Sequence, residues 1–381
     1  MRIFSAPTCY NKYRMRTLRP VPLLALLLLT LSGCGDLSYL AKLGWHQGAI
    51  AYHSVPVQDL LTDERVTLQI KYKIRLVQEV KRYGEENLGL KKTKSYSNFF
   101  ETKGPVLYVV TACEKDKLQF RTWSFPLVGE VSYRGYFTRD DALQEKDRLE
   151  NTGYDTYLQQ AAAYSTLGWM KDPIFSSMTQ WSDAALANLI LHEMTHATLY
   201  FKGETDFNEQ VATFVGNRGS VDFLTGWFGP QSKEVEEALA YQNDDLVFSE
   251  WIGQACDRLS AFYGKNISTE EKLRGREEIF RSLQIEFKQV NTRLKTNTYK
   301  NLEKLGLNNA VLLAHQRYVH RLDTFDLLHE SLGKNLRKVI EVLKKVQRSG
   351  ESPASFLKQW STERRTDILV SRIEDSLPAT P

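Results

Sequence analysis

An α+β fold, predominantly helical, with a small N-terminal β-sheet and a C-terminal helical region, is predicted by three features of this 381-residue chain. Between Gly104 and Phe137 the segments GPVLYVVTAC, KLQFRTWSF and GEVSYRGYF are rich in Val, Tyr, Phe and Trp and broken by Pro and Gly, as short strands are. From Gln231 onward, apolar residues recur at helical spacing between capping signals. Between these regions, LILHEMTHATLYFKGETDFNEQVATFV (Leu189–Val215) reads as two helices joined at Gly203. With 42% hydrophobic and 25% charged residues, the chain has an ordinary globular composition and the length to bury a large core.

The first 33 residues stand apart. Arg2, Lys12, Arg14, Arg16 and Arg19 precede an apolar run from Val21 to Leu31, interrupted by Pro22 and Thr30. A basic region before about ten apolar residues is a secretory signal, too short to span a bilayer as a stable helix. Met15 offers a tidier start for the same signal. Leu31-Ser32-Gly33-Cys34 resembles the bacterial lipoprotein box, which implies cleavage before Cys34 and its acylation, with residues 34–55 as a tether. Acyl chains on Cys34 would hold the protein to a membrane without a transmembrane helix. The expected location is the bacterial cell envelope, lipid-anchored and facing the periplasm. Loss of five basic and no acidic residues turns the formal +4 into about −1. The basicity is a targeting feature, and nucleic acid is not an expected partner. Cys9 leaves with the signal, while Cys113 and Cys256 remain as one disulfide or two buried thiols.

Along the mature chain, Val66, Ile70, Ile74 and Val77 recur at helical spacing. The alternation of Val66, Leu68, Ile70 and Tyr72 also fits a strand, but the length and the charged continuation to Gly84 favour an amphipathic helix. After the strand segments, Thr138 with Asp141 caps a helix to about Asn151, and YDTYL adds a strand. Ser182 is placed to cap the helix beginning the Leu189–Val215 stretch. Residues 56–230 thus hold the sheet and the two central helices. Residues 231–370 supply helices that pack on them, including one opened by the capping box Ser268–Glu271 and running to about Thr296. Residues 371–381 read as a mobile tail.

The central stretch contains His192-Glu193-Met194-Thr195-His196. Residues four apart share one helix face, so His192 and His196 can chelate one ion from successive turns. Glu193 is turned by about 100° around the axis, which frees it to act as a base on water. Zinc with three protein ligands and an open position fits that chemistry. Leu189, Ile190 and Leu191 before the motif, and uncharged Met194 and Thr195 inside it, suit a buried helix. The third ligand lies on the next helix or the loop before it. Glu209, thirteen positions after His196, competes with Glu204 and Asp206, and it also reads as the end of an Asp206-x-x-Glu209 capping box. The remaining histidines, His46, His53, His315, His320 and His329, read as structural.

HEMTHATLYFKGETDFNEQVATFVG resembles the gluzincin arrangement, in which H-E-x-x-H is followed by N-E-x-x-A on the next helix. Together with FPLVGEVSYRGYF, AYSTLGW and LNNA, it is similar to the bacterial putative aminopeptidase family of lipoproteins. The resemblance runs from the signal to about Lys345. It implies a zincin-like metallopeptidase core, one zinc ion held by His192, His196 and Glu209, and Glu193 as the catalytic base. It also leads to an expectation of cysteines near Ser124 and Glu130; neither is present, which rules out a disulfide across the Pro126 turn.

Peptide is the expected substrate. AYSTLGW, beginning 29 positions before His192, is a candidate strand for main-chain pairing with it. Tyr164, Ser165, Tyr136 and Arg134 are candidate substrate-binding residues: Tyr164 or Tyr136 to steady an oxyanion, Arg134 to meet a carboxylate. An aminopeptidase needs an anionic pocket for the α-ammonium group, with Glu204, Asp206 and Glu130 as candidates. An endopeptidase of the same zinc class and a non-catalytic lipoprotein scaffold are the alternatives.

Overall fold

A computed structural model describes residues 34–125, 128–161, 163–320 and 322–362. The signal, the tail at 371–381 and the Pro126 turn lie outside these. The chain divides into two units, Met1–Gly48 and Ala49–Pro381. Residues 34–55, expected as a tether, are helical from Cys34 to His53 (α1). Gly44 and Gly48 sit among Leu, Ala, Lys and Gln, whose helix propensity carries the segment through them.

In the second unit, strand β1 (Val55–Pro56) leads to the short helix α2 (Val57–Thr62) and to α3 (Leu68–Glu86). The helical reading of that segment holds: Thr67 caps α3, and Ile74, Val77 and Val80 are buried along one side. Strands β2 (Asn98–Phe100), β3 (Leu107–Cys113), β4 (Trp123–Phe125), β5 (Gly129–Val131) and β6 (Tyr133–Tyr136) follow. Next come helix α4 (Arg139–Asn151), capped by Thr138, and strands β7 (Asp155–Ala161) and β8 (Ile174–Phe175). They form small sheets, ordered β1-β2-β8 and β6-β3-β7, with β4 and β5 as a two-stranded hairpin. Ser124 and Glu130, the positions expected to carry cysteines, are direct partners across that hairpin.

Two further expectations are corrected. AYSTLGW is not a strand, because β7 ends at Ala161 and a turn follows. Thr166 directs its backbone N–H and its hydroxyl to Asp172, Trp169 N–H donates back to Thr166 O, and Leu167 and Gly168 both take positive φ. That geometry is a tight turn, incompatible with extended backbone. The helix expected to reach Thr296 stops at Asn291, and Asp244 accepts the backbone N–H groups of Lys295 and Thr296 beyond it.

The helical part comprises α5 (Asp183–Thr198), α6 (Thr205–Phe228), α7 (Lys233–Tyr263), α8 (Thr269–Asn291), α9 (Asn309–Val319), α10 (Leu322–Ser331) and α11 (Leu336–Ser349). The Ser268–Glu271 capping box at the start of α8 is complete. Helices α5 and α6 pack most closely, and Gly216 permits it: a Cβ there would lie 3.0 Å from the Asn188 carbonyl. A buried network ties the helices to the sheet. Arg276 of α8 donates two hydrogen bonds to Asp155 of β7, and Asn309 of the LNNA motif donates its backbone N–H to the same carboxylate. Asn309 also donates its side-chain amide to the carbonyl of Glu114 and accepts from the Tyr263 hydroxyl. Cys113 and Cys256 are buried free thiols, each pushed up to about 12 by burial.

Candidate metal centre

Helix α5 is fixed from its first turn. Ser182 accepts the Ala185 backbone N–H at the N-cap, and Leu186, Ala187, Ile190, Leu191 and Met194 bury its inner side. His192 and His196 lie one turn apart, and their Nε2 atoms converge to 3.1 Å. The helix then stops at Thr198, five residues short of Gly203. The connecting loop is held on both sides. Tyr200 donates its hydroxyl to Val128 O at 3.0 Å, and Gly129, with φ +82°, leaves room for the loop, since a Cβ there would meet Gly203 N at 3.0 Å.

From this loop α6 returns, placing Glu209 against the histidines. Its Oε2 lies 3.4 Å from His192 Nε2 and 3.5 Å from His196 Nε2. Among the described residues these three form a group able to hold a metal ion, and Glu193 is not part of it. Zinc at its usual ligand distances in a tetrahedron sets N and O ligands about 3.3 Å apart. Edges of 3.1, 3.4 and 3.5 Å outline one face of such a tetrahedron. Two imidazoles and a carboxylate also suit zinc as a set of donors.

Of the two rival ligands, Asp206 is engaged elsewhere and Glu204 sits at the start of α6. Glu204 is the N-cap of α6, so Glu209 falls beyond the position that a capping box requires, and the Asp206-x-x-Glu209 box, the alternative reading of Glu209, does not form. Asp206 accepts a hydrogen bond from Arg317 Nε at 3.1 Å. Glu130, a candidate for the α-ammonium pocket and not a rival ligand, is exposed in β5, where its backbone carbonyl accepts from the Thr205 hydroxyl.

Burial raises the Glu193 carboxyl; His192 and His196 oppose this, Glu209 and Asp172 reinforce it, and the net shift is upward. Burial acts on Glu209 in the same sense, but His196 and His192 outweigh it and hold that carboxyl well below the usual range. Burial would lower the His196 imidazole, yet Glu209 and Glu193 raise it. The two carboxyl groups are thus driven apart, one kept ionised and the other made more basic.

Tyrosines surround the group. The Tyr133 hydroxyl donates to Glu209 Oε1 at 3.5 Å, and the Tyr318 ring lies 6.4 Å from the His192 ring. Sequence reasoning missed both. It selected Tyr136 and Arg134 from the same YRGYF segment, but alternate strand residues face opposite ways, so these two share the face that Tyr133 does not. Arg134 lies 3.8 Å from Glu145 and over the rings of Trp123 and Phe125, and Tyr136 is buried opposite Tyr108. Tyr164 packs against Phe137 and Phe175, each at 5.7 Å between ring centroids. Ser165 accepts the Leu167 N–H within the turn. Alternation itself could have found Tyr133; for Tyr318, distant in sequence, no signal was present. A cavity of about 530 Å³ near Glu101, Gln160 and Ser177 borders none of these site residues.

Two imidazoles and two carboxyl groups shifted in opposite directions thus meet on adjoining helices. The family described as "Putative aminopeptidase" matches residues 38–355. The chain belongs to that family, and membership implies a peptidase. Among curated proteins and among solved structures, none matches this chain.

Proposed function

We propose that this protein is a membrane-anchored zinc peptidase of gluzincin type, acting as an aminopeptidase, with His192, His196 and Glu209 holding one zinc ion. The observation that carries this reading is the near-equilateral triangle of their ligand atoms. A bound zinc ion supplies Lewis acidity, bringing the pKa of water toward neutrality and polarising a peptide carbonyl. Glu193 stands outside the triangle and takes the proton of the attacking water on its carboxylate. Its raised basicity suits that role, and the same carboxyl can return the proton to the departing amine. Glu209 stays ionised beside the imidazoles, with Tyr133 fixing its second oxygen. Tyr318, beside His192, is the donor for the oxyanion that develops on the scissile carbonyl.

The anchor is lipid on Cys34, and the site faces the periplasm. Among the described residues no helix is long and apolar enough to cross a membrane.

Hydrolysis of peptides with free and blocked N-termini, by wild type and Glu193→Gln, tests the function. The wild type is expected to cleave free N-termini only, and the variant to lose about 10²- to 10⁴-fold in rate. Cleavage of blocked peptides would make it an endopeptidase. A zinc-loaded wild type that hydrolyses neither peptide would make it a scaffold.

A further inference from the structure

Lysines and exposed apolar side chains meet beside the end of α5. The turn at Leu167–Gly168 projects Trp169 and Met170, which are 62% and 40% exposed. It stands against the segment at residues 91–96: a Cβ on Gly168 would lie 3.0 Å from Thr93 Cγ2 and 3.8 Å from Lys91 Nζ. Tyr96 N–H donates to Asp172 O at 2.6 Å, which locks the two segments together. Lys91, Lys92, Lys94 and Lys171 are all exposed around this turn. The nearest acid of the turn, Asp172, is buried and engaged by Thr166 and Ser95. Glu85 is paired to Lys81, at 3.7 Å. On α11 beside it, Lys344 donates to Gly89 O, while Arg337 donates to Glu86 O and is paired with Glu341 at 3.2 Å.

We infer that this patch docks on the surface of an anionic lipid bilayer. A lone exposed tryptophan is unremarkable, but tryptophan and methionine ringed by lysines match the two halves of an interfacial site. The apolar tips enter the headgroup region, and the ammonium groups face lipid phosphates. The chain after signal removal is close to neutral, so this is a local concentration of charge and not a property of the whole molecule. The patch adjoins the proposed site: Gly168 approaches Ala197, next to His196, and Lys91 N–H donates to the Thr198 hydroxyl. Docking there would hold the end of α5 at the bilayer surface, next to peptides emerging from or lying on it.

The inference rests on the proposed anchoring only in that a membrane is within reach. The test uses the full chain carrying Cys34→Ser, which has no acylation site, and vesicles of phosphatidylcholine with and without phosphatidylglycerol. Sedimentation with the anionic vesicles alone is expected, weakening with salt. Each lysine-to-glutamine change among Lys91, Lys92, Lys94 and Lys171 should lower partition by about fivefold. Trp169→Ala/Met170→Ala should abolish binding while leaving hydrolysis of a short soluble peptide and the melting temperature unchanged. Equal binding to both vesicle types, or to neither, overturns the inference. So does a double variant that still binds vesicles but shows a raised KM, which would make the patch a substrate subsite. Palmitate labelling of the wild type tests the anchor separately, so either idea can fail alone.

Discussion

Asn208 closes both ends of its side-chain amide on the backbone of Phe201: its Oδ1 accepts the Phe201 N–H and its Nδ2 donates to the Phe201 carbonyl, both at 2.8 Å. The clamp fixes the loop between α5 and α6 from within, one residue before Glu209. All of these groups are buried. Asn208→Ala would strand the Phe201 polar groups at a cost of about 2–3 kcal/mol and loosen the placement of Glu209. Zinc affinity should fall by about 10- to 100-fold, as for other partners that orient a ligand. Urea unfolding and chelator competition measure the two effects; a destabilised variant with unchanged zinc affinity would show that the clamp serves the fold alone.

Asp206 and Arg317 form an unequal pair. The Arg317 side chain has no exposed surface and lies over the Phe120 and Tyr133 rings, whereas Asp206 is 46% exposed. Asp206→Asn leaves a buried cation without its carboxylate and should cost about 3 kcal/mol. Arg317→Met removes the cation and leaves Asp206 to water, so it should cost less. Urea unfolding of both variants decides the order; a small loss in Asp206→Asn and a larger one in Arg317→Met would mean that the Ser132 oxygens satisfy the Arg317 cation.

Asp245 gives a pH dependence of definite sign. Burial raises its carboxyl to about 6, although the Tyr299 hydroxyl and Asn217 amide donate to it. A carboxyl with a folded pKa above its unfolded value binds protons more tightly when folded, so its contribution to stability falls as pH rises from about 4 to about 6. At neutral pH that contribution is a penalty of about 3 kcal/mol. Acidification from pH 7 to about 5 should therefore stabilise the wild type relative to Asp245→Asn. Melting curves across that range check it, and parallel curves for the two proteins would contradict it.

Tyr318→Phe should lower kcat by about 10²- to 10³-fold with bound zinc retained, because the proposed oxyanion donor is lost. Tyr133→Phe should act on zinc retention instead, because its hydroxyl reaches Glu209. Kinetics and metal content of both variants separate the roles. Loss of zinc in Tyr318→Phe would move Tyr318 into the group that orients the ligands.

What was legible in the sequence followed local periodicity. His192 and His196 share a face because a helix turns about every 3.6 residues, and α3, α4 and the α8 capping box follow from spacing and caps in the same way. Glu209 is favoured over Glu204 and Asp206 from its place on the second helix and from the family resemblance, while spacing alone leaves all three open. What spacing could not supply is which residue caps α6, and that Arg317, 111 residues away, engages Asp206. Tyr133 was lost to a one-residue phase ambiguity in a four-residue strand, too short to fix which face is inward. The turn after Ala163 was hidden because its cause, the Asp172 carboxylate, lies beyond the segment that it bends.

Zinc content of dialysed wild type and Glu209→Ala, measured by elemental analysis, tests the central claim most directly. The account predicts one zinc per wild-type chain and a zinc content near zero in a folded Glu209→Ala. A Glu209→Ala protein that keeps the wild-type zinc content would remove Glu209 from the metal site and contradict the three-ligand centre.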